Sequence, residues 1–321
     1  MNDFKIPNLQ IQEVAENVLL IHQIKSSALF TCCDGLLILP KQGRNKQTII
    51  LDLNVEPENI KIIYERFSPI SDYVCSHTHL DHSAHVYAWE ELGVEIYAPF
   101  PEYDHLLGHE ILLEKFGFLK YLSLDTGKSF VEYNGYKKCR RVKPFQPGST
   151  LQFEKFVVNT LHLSGHSFGH VGFFLPKEKI FHISCLGFDQ PKPGIDSFGP
   201  WYGFETNSLE QYEEDIRSAE EYFLDKARFL TSSHSYIIKH PDITPFQYMR
   251  RKIRENQKKV DEAVDLIENL PDNEDELVNM LLELDLFFPK RKMRGFLFDI
   301  YTLWESWFIR NHLRRNERIT Y

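Results

Sequence analysis

The chain is short of cysteine: five thiols in 321 residues, at positions 32, 33, 75, 139 and 185. An odd, scattered set does not make a disulfide framework, so a reducing cytoplasm is the expected compartment. No apolar run approaches the roughly 20 residues that a membrane helix needs. The opening residues, MNDFKIPNLQ, lack a basic stretch followed by an apolar one, and no secretory leader is expected. Positive charge is also in deficit. Lys+Arg number 37 against 46 Asp+Glu, a net charge of −9, which argues against nucleic-acid binding by the whole surface. There is no internal repeat and no low-complexity segment.

Apolar material is plentiful, at 42% hydrophobic and 14% aromatic residues, enough for a large core. The first half reads mostly as strands: Val18–Gln23, Ala28–Leu39 and Gln47–Leu53, the last two joined by a polar turn at Lys41–Lys46. Glu58–Phe67 has helical spacing, Asp72–Cys75 is a short strand, Ala84–Leu92 a helix closed by Gly93, and Val94–Ala98 a strand. A less regular stretch follows. Then come strands at Phe153–Leu161, Val171–Leu175 and Lys179–Ser184, a helix at Leu209–Leu224 and a strand at Ala227–Ser232. This alternation with hairpins predicts an α/β fold with a mixed, layered sheet. Beyond Pro245 the spacing predicts three helices, Phe246–Leu270, Glu274–Leu284 and Lys292–Leu313. The tail carries 14 basic and 14 acidic residues, so the first 244 residues hold the whole −9. Two domains are expected, 1–244 and 245–321. The basic run from Arg250 to Lys259 is interleaved with Glu255 and followed by Asp261 and Glu262, the pattern of a solvated helix face.

The fourteen histidines are concentrated. His77-Thr78-His79-Leu80-Asp81-His82 packs three histidines and an aspartate into six residues at a strand end. In an extended segment residues two apart point the same way, so His77 and His79 can close on one ion. The chain then turns into a helix, where Asp81 and His82 can face a second. A second cluster runs from His162 to His170. Gly165 and Gly169 bracket His166, the best ligand candidate there, while His162 and His170 suit structural roles. A third piece, Ser232-Ser233-His234-Ser235, ends a strand.

In this order and at these separations the three pieces resemble the metallo-β-lactamase superfamily. His77 to His82 matches its HxHxDH signature, Gly165-His166 and His234 match its later metal motifs, and Asp52 matches the structural aspartate that precedes the signature. The resemblance covers about residues 13–240. It implies a four-layer αββα sandwich, extended here by C-terminal helices, with a two-metal site along one edge of the paired sheets. The aspartate that usually bridges the ions is absent: its place falls on Cys185, with Asp189 four residues later as a second candidate. In the true β-lactamase branch a cysteine here binds one zinc without bridging, and the bland alternative is a small buried thiol. The implied ligands are therefore His77, His79 and His166 for one ion, and Asp81, His82, His234 with Cys185 or Asp189 for the other. Two zinc ions are the implied cofactor, with iron or manganese as alternatives.

The loop Pro191–Glu205 brings Trp201 and Tyr202 toward the implied cleft, as a substrate wall or as a segment pinned to the core. Tyr202 and Tyr236 are candidate hydrogen-bond donors to an oxyanion, or packed away. The leading expectation is a metallo-hydrolase that cleaves an ester, thioester or lactone of a small-molecule substrate, with Asp81 orienting the water; glyoxalase II-like thioesterases and lactonases are the analogies. Against it stand a nuclease of the same superfamily, which the acidic first half disfavours, a di-iron redox protein, which His79 disfavours, and a catalytically impaired relic. The tail loosely resembles a winged-helix module. Its large aromatic residues, Trp304, Trp307 and Phe308 among them, cannot all hide within three helices. They are expected to pack near Trp201 and Tyr202, on the first domain or on a second copy in a homodimer.

Overall fold

The computed structural model describes residues 6–28, 30–40, 47–154, 156–187, 199–234 and 236–315. Asp189 and the turn at Lys41–Lys46 lie outside them. Among the described residues thirteen strands form two sheets. The first sheet runs in sequence order: β1 (Leu9–Ala15), β2 (Val18–Gln23), β3 (Gly35–Ile38), β4 (Thr48–Leu51), β5 (Ile70–Val74), β6 (Glu95–Pro99) and β7 (Lys143–Phe145). Its first four strands are antiparallel and the rest parallel. The second sheet contains β8 (Thr150–Phe153), β9 (Phe156–His162), β10 (Val171–Leu175), β11 (Ile180–His182), β12 (Phe229–Thr231) and β13 (Ile237–Lys239), with only the β11–β12 pair parallel.

The layering follows from the period of two along each strand. Leu20, Leu36, Ile38, Ile49 and Leu51 face inward onto Val158, Phe173, Leu175 and Ile180 of the second sheet. Their neighbours Leu19, Ile21, Leu37 and Ile50 face outward onto helices α1 (Pro57–Phe67) and α3 (Val86–Glu91), through Ile60, Ile63 and Trp89. Each such side chain contributes roughly 1.5–3 kcal/mol when fully buried. On the far side Phe174, Phe181 and Leu230 pack against Tyr212, Ile216 and Phe223 of a long helix, Leu209–Lys226. The result is the expected four-layer sandwich followed by C-terminal helices.

Several elements depart from the sequence expectation. Ala84–Leu92 is not one helix: a short turn of helix, α2 (Leu80–Ser83), precedes α3, and the chain bends between them at His85 (φ −111°). The strand expected at Phe153–Leu161 is β9 from Phe156 onward, and an unexpected strand, β8, precedes it in a hairpin with Phe153 opposite Phe156. The irregular stretch after residue 100 contains two helices, α4 (His109–Lys115) and α5 (Leu124–Tyr133), the second capped by Ser123. The long helix Leu209–Lys226, α6, is capped by Ser208, and the tail folds into α7 (Thr244–Asp265), α8 (Glu274–Leu282) and α9 (Phe296–Arg315). Among the described residues after 244 there is no strand, so no wing hairpin accompanies them.

Helix α9 does not stand apart. Ile300, Trp304, Trp307 and Phe308 enter the same core as Phe130, Trp201, Phe204 and Tyr212. Trp304 lies edge-on to Trp201 with ring centroids 5.1 Å apart, and Phe308 lies 5.2 Å from Trp201 and 4.4 Å from Tyr202.

Candidate metal centre

Strand ends supply the polar cluster. Asp52 follows β4, Ser76 and His77 follow β5, Ser184 and Cys185 follow β11, and Ser233 and His234 follow β12, so the ends of parallel pairs in both sheets meet at one edge. Asp52 is fully buried and ties them together. It accepts hydrogen bonds from Ser76 N (2.9 Å), Ser76 Oγ (2.7 Å), Ser184 Oγ (2.7 Å) and Ser233 Oγ (3.0 Å), and its Oδ2 stands 3.0 Å from His82 Nδ1. Burial alone would raise this carboxyl's pKa, but the His82 and His182 imidazoles hold it well below the usual range. Asp52 and Ser184 both have positive φ, 62° and 50°. Non-glycine residues rarely adopt that conformation, and two of them in contact at one site mark backbone strain held by the surrounding bonds.

His166 is placed by the β9–β10 loop, which leans on α6. Gly165 N donates to Asp215 Oδ2 (2.6 Å), and a Cβ on Gly165 would come within 2.4 Å of the Tyr212 backbone. Asn207 Nδ2 donates to the His166 carbonyl. A second buried carboxylate, Glu102, staples the two histidine loops. It accepts from Thr78 N and Oγ1 (both 3.0 Å) on one side and from Ser167 Oγ and Gly169 N (both 2.6 Å) on the other.

These supports aim the imidazoles. His166 Nδ1 donates to the Trp201 carbonyl (2.8 Å), which leaves Nε2 as a lone pair. Ser76 Oγ gives its proton to Asp52, so His77 Nδ1 donates to Ser76 Oγ (2.9 Å) and its Nε2 is a lone pair as well. The two Nε2 atoms face each other at 3.1 Å. His79 Nε2 is buried beside them with no hydrogen-bond partner. Burial first, and then the neighbouring imidazoles, hold the pKa of all three rings well below the usual value. Two facing nitrogen lone pairs with the Cys185 thiol in range fit a cation; the His79 ring lies 4.5 Å from that of His77 but outside this group of ligand atoms.

Next to them Asp81, His82, Cys185 and His234 bring ligand atoms within 4.8 Å of one another. Cys185 Sγ lies 2.8 Å from His82 Nε2 and 2.9 Å from His234 Nε2. It also groups with His77 and His166 at the same range, so one thiol is shared by both clusters. Burial lowers the His234 pKa to about 3 and raises that of Asp81, whereas the Asp52 and Asp81 carboxylates outweigh burial and raise that of His82.

Seven of the sequence candidates thus meet in one place: His77, His79, Asp81, His82, His166, Cys185 and His234. Asp189 lies outside the described residues. Neither tyrosine lines the cavity that opens over the cluster. The Tyr202 hydroxyl donates to His312 Nε2 (2.8 Å) and accepts from Asn256 Nδ2 (3.0 Å), beneath α9. Tyr236 is buried with its hydroxyl against Gly187. Sequence reasoning missed Glu102, and also Phe204, whose ring stacks on His79 at 4.3 Å, and Phe116, 5.2 Å from the same ring. A glutamate between Pro101 and Tyr103 has no local motif. The aromatics carried only a general apolar signal.

No family model and no curated protein matches the sequence. Solved structures do match the fold. A metallo-β-lactamase family protein of Thermus thermophilus aligns over 97% of this chain and 95% of its own, at 18% identity and a TM-score of 0.60. A β-lactamase domain protein of Burkholderia ambifaria aligns over 98% and 91%, at 14% identity and a TM-score of 0.64. The DIM-1 metallo-β-lactamase covers 77% of this chain and 97% of its own, at 16% identity and a TM-score of 0.53. With its two sheets, its flanking helices and histidine loops meeting at one sheet edge, the chain has the metallo-β-lactamase fold.

Proposed function

We propose that the protein is a metal-dependent hydrolase holding two zinc ions, and that it cleaves an ester, thioester or lactone bond. The observation that carries this reading is the pair of lone-pair nitrogens, His77 Nε2 and His166 Nε2, held 3.1 Å apart by outward-facing hydrogen bonds. Neutral imidazoles in that arrangement repel unless a cation lies between them. His77, His79 and His166 would hold the first ion. Asp81, His82 and His234 would hold the second, with Cys185 within reach of both. Thiolate and imidazole donors favour zinc over manganese or magnesium.

When bound, the ions lower the pKa of a water toward roughly 7 and polarise the scissile carbonyl. The chain's own residues do the rest. Asp81, which would hold the second ion, would also orient that water by accepting its hydrogen bond. Ser76 and the Trp201 carbonyl fix the tautomers of His77 and His166, and Asp52 fixes the His82 ring. Phe116 and Phe204 exclude bulk water from the His79 side of the site.

Elemental analysis of protein reconstituted with zinc, iron and manganese in turn tests the reading. Wild type is expected to retain two zinc ions. The double variant His77→Ala, His79→Ala is expected to lose the first ion, and the stability it contributes by binding only the folded state. Cys185→Ser is expected to weaken the second site while sparing the first. A double variant with full metal content sinks the ligand assignment, and wild-type protein that takes up no metal sinks the function.

A further inference from the structure

A cavity of about 210 Å³ opens directly over the candidate metal ligands. Its floor is His79, Asp81, His166, Cys185 and His234. Its walls are hydrocarbon: Phe30, Leu112, Phe116, Phe204, Trp201 and Trp304 with their neighbours. Among the described residues no lysine, arginine, amide or hydroxyl side chain lines it.

A carboxylate or phosphate group lodged between these walls would lose its water and meet the negative faces of aromatic rings, with no cationic side chain in the walls to replace the hydration. An ammonium group would approach a floor built to hold divalent cations. A neutral hydrocarbon group displaces water and meets only favourable surface. The walls are also fixed in advance. Trp304 packs against Trp201 and Phe30, each with centroids 5.1 Å away, and against Phe130 at 5.5 Å. Phe204 carries the apolar wall up to His79 itself, at 4.3 Å. Nothing polar intervenes between the ligand histidine and the hydrocarbon wall on that side, so the apolar part of a substrate begins next to the bond that is cut.

We propose that this cavity receives an uncharged, hydrocarbon-bearing acyl group, so that the substrate class is neutral acyl esters or thioesters. The bond cleaved rests on the hydrolase reading above, but the binding of the acyl group does not, and the two are tested separately.

Binding is measured by titrating metal-free protein, following tryptophan fluorescence, with three probes of equal length: octanamide, the monoamide of suberic acid and 8-aminooctanamide. Octanamide is expected to bind at least tenfold more tightly than either charged probe. Turnover is measured on zinc-loaded protein with N-acetylcysteamine thioesters of acetic, butyric and hexanoic acids. Here kcat/KM is expected to rise about fourfold per added methylene, the equivalent of about 0.8 kcal/mol each. Phe30→Arg, which places a cation at the half-buried edge of the cavity, is expected to reverse the preference between octanamide and the suberic monoamide. If that variant does not fold, Cys32→Arg supplies the same charge. Equal binding of the three probes, or no binding by wild type, overturns the proposal. Selective binding with no thioester cleavage leaves the cavity assignment standing and removes the hydrolase reading instead.

Discussion

Asp215 illustrates how a single buried group sets conditions for the site. Its carboxylate accepts from the amide of Gly165, next to His166, and from Gln211 Nε2 (2.8 Å). Burial nevertheless raises its pKa to about 6, above the 3.8 of a free aspartate. A raised folded-state pKa means that the folded protein holds the proton more tightly than the unfolded chain. Asp215 therefore contributes most stability below about pH 4, and that contribution is lost as pH rises through 6. The full swing is on the order of 2–3 kcal/mol. Asp215→Asn is expected to flatten the melting temperature between pH 4 and 7, and a variant whose profile matches wild type removes Asp215 as the cause. At this scale the six residues from His77 to His82 were legible, because their chemistry is crowded into one stretch. Glu102 was not, because its partners lie at Thr78, Ser167 and Gly169, and no local pattern links them.

Among the elements, the loop between β9 and β10 is held by one buried apolar side chain, Leu163, and by the close approach of Gly165 to α6. Gly165→Ala would place its Cβ 2.4 Å from Tyr212 Cα and N, and backbone cannot move aside as a side chain can. The substitution is expected to cost about 2–3 kcal/mol in denaturant unfolding and to weaken metal retention at the His166 site. Stability and metal content equal to wild type would show that the loop has room to retreat from α6. The hairpin from β8 to β9 shows why some elements were not legible. Its turn includes Glu154 at φ 36°, a charged residue where glycine or asparagine is the usual signal, so the expected strand starts at Phe153, across the turn, and β8 before it was missed. α4 and α5 were obscured for a different reason. Their apolar positions serve the cavity and the α9 interface as well as a helix face, which blurs the 3.6-residue period. The central strands β2, β4, β5, β6, β10, β11 and β12, largely apolar runs buried on both faces, were read to within a few residues; the strand expected at Ala28–Leu39 starts seven residues before β3, and β1, β7 and β13, short or half-exposed, were not read.

At the scale of the whole molecule, the tail helices and the sandwich share one core. Trp304→Ala is expected to cost about 3–5 kcal/mol, as removal of a large buried aromatic does, and to open the cavity wall. Truncation after residue 244 removes the partners of Trp201 and Tyr202 and is expected to yield protein that aggregates on size-exclusion chromatography and binds hydrophobic dyes. A monomeric truncation with unchanged melting temperature would make the tail an independent module. The packing of α9 also imposes an order in time. The candidate ligand loops are complete once residue 234 has been made, but Trp304 closes the cavity only after some seventy further residues. During synthesis the cluster therefore exists with one aromatic wall missing and the faces of Trp201 and Phe130 exposed. An arrested or clipped chain carries the candidate metal centre without its shelter, and it carries at the same time the apolar surface by which a cell's quality control marks a chain for removal.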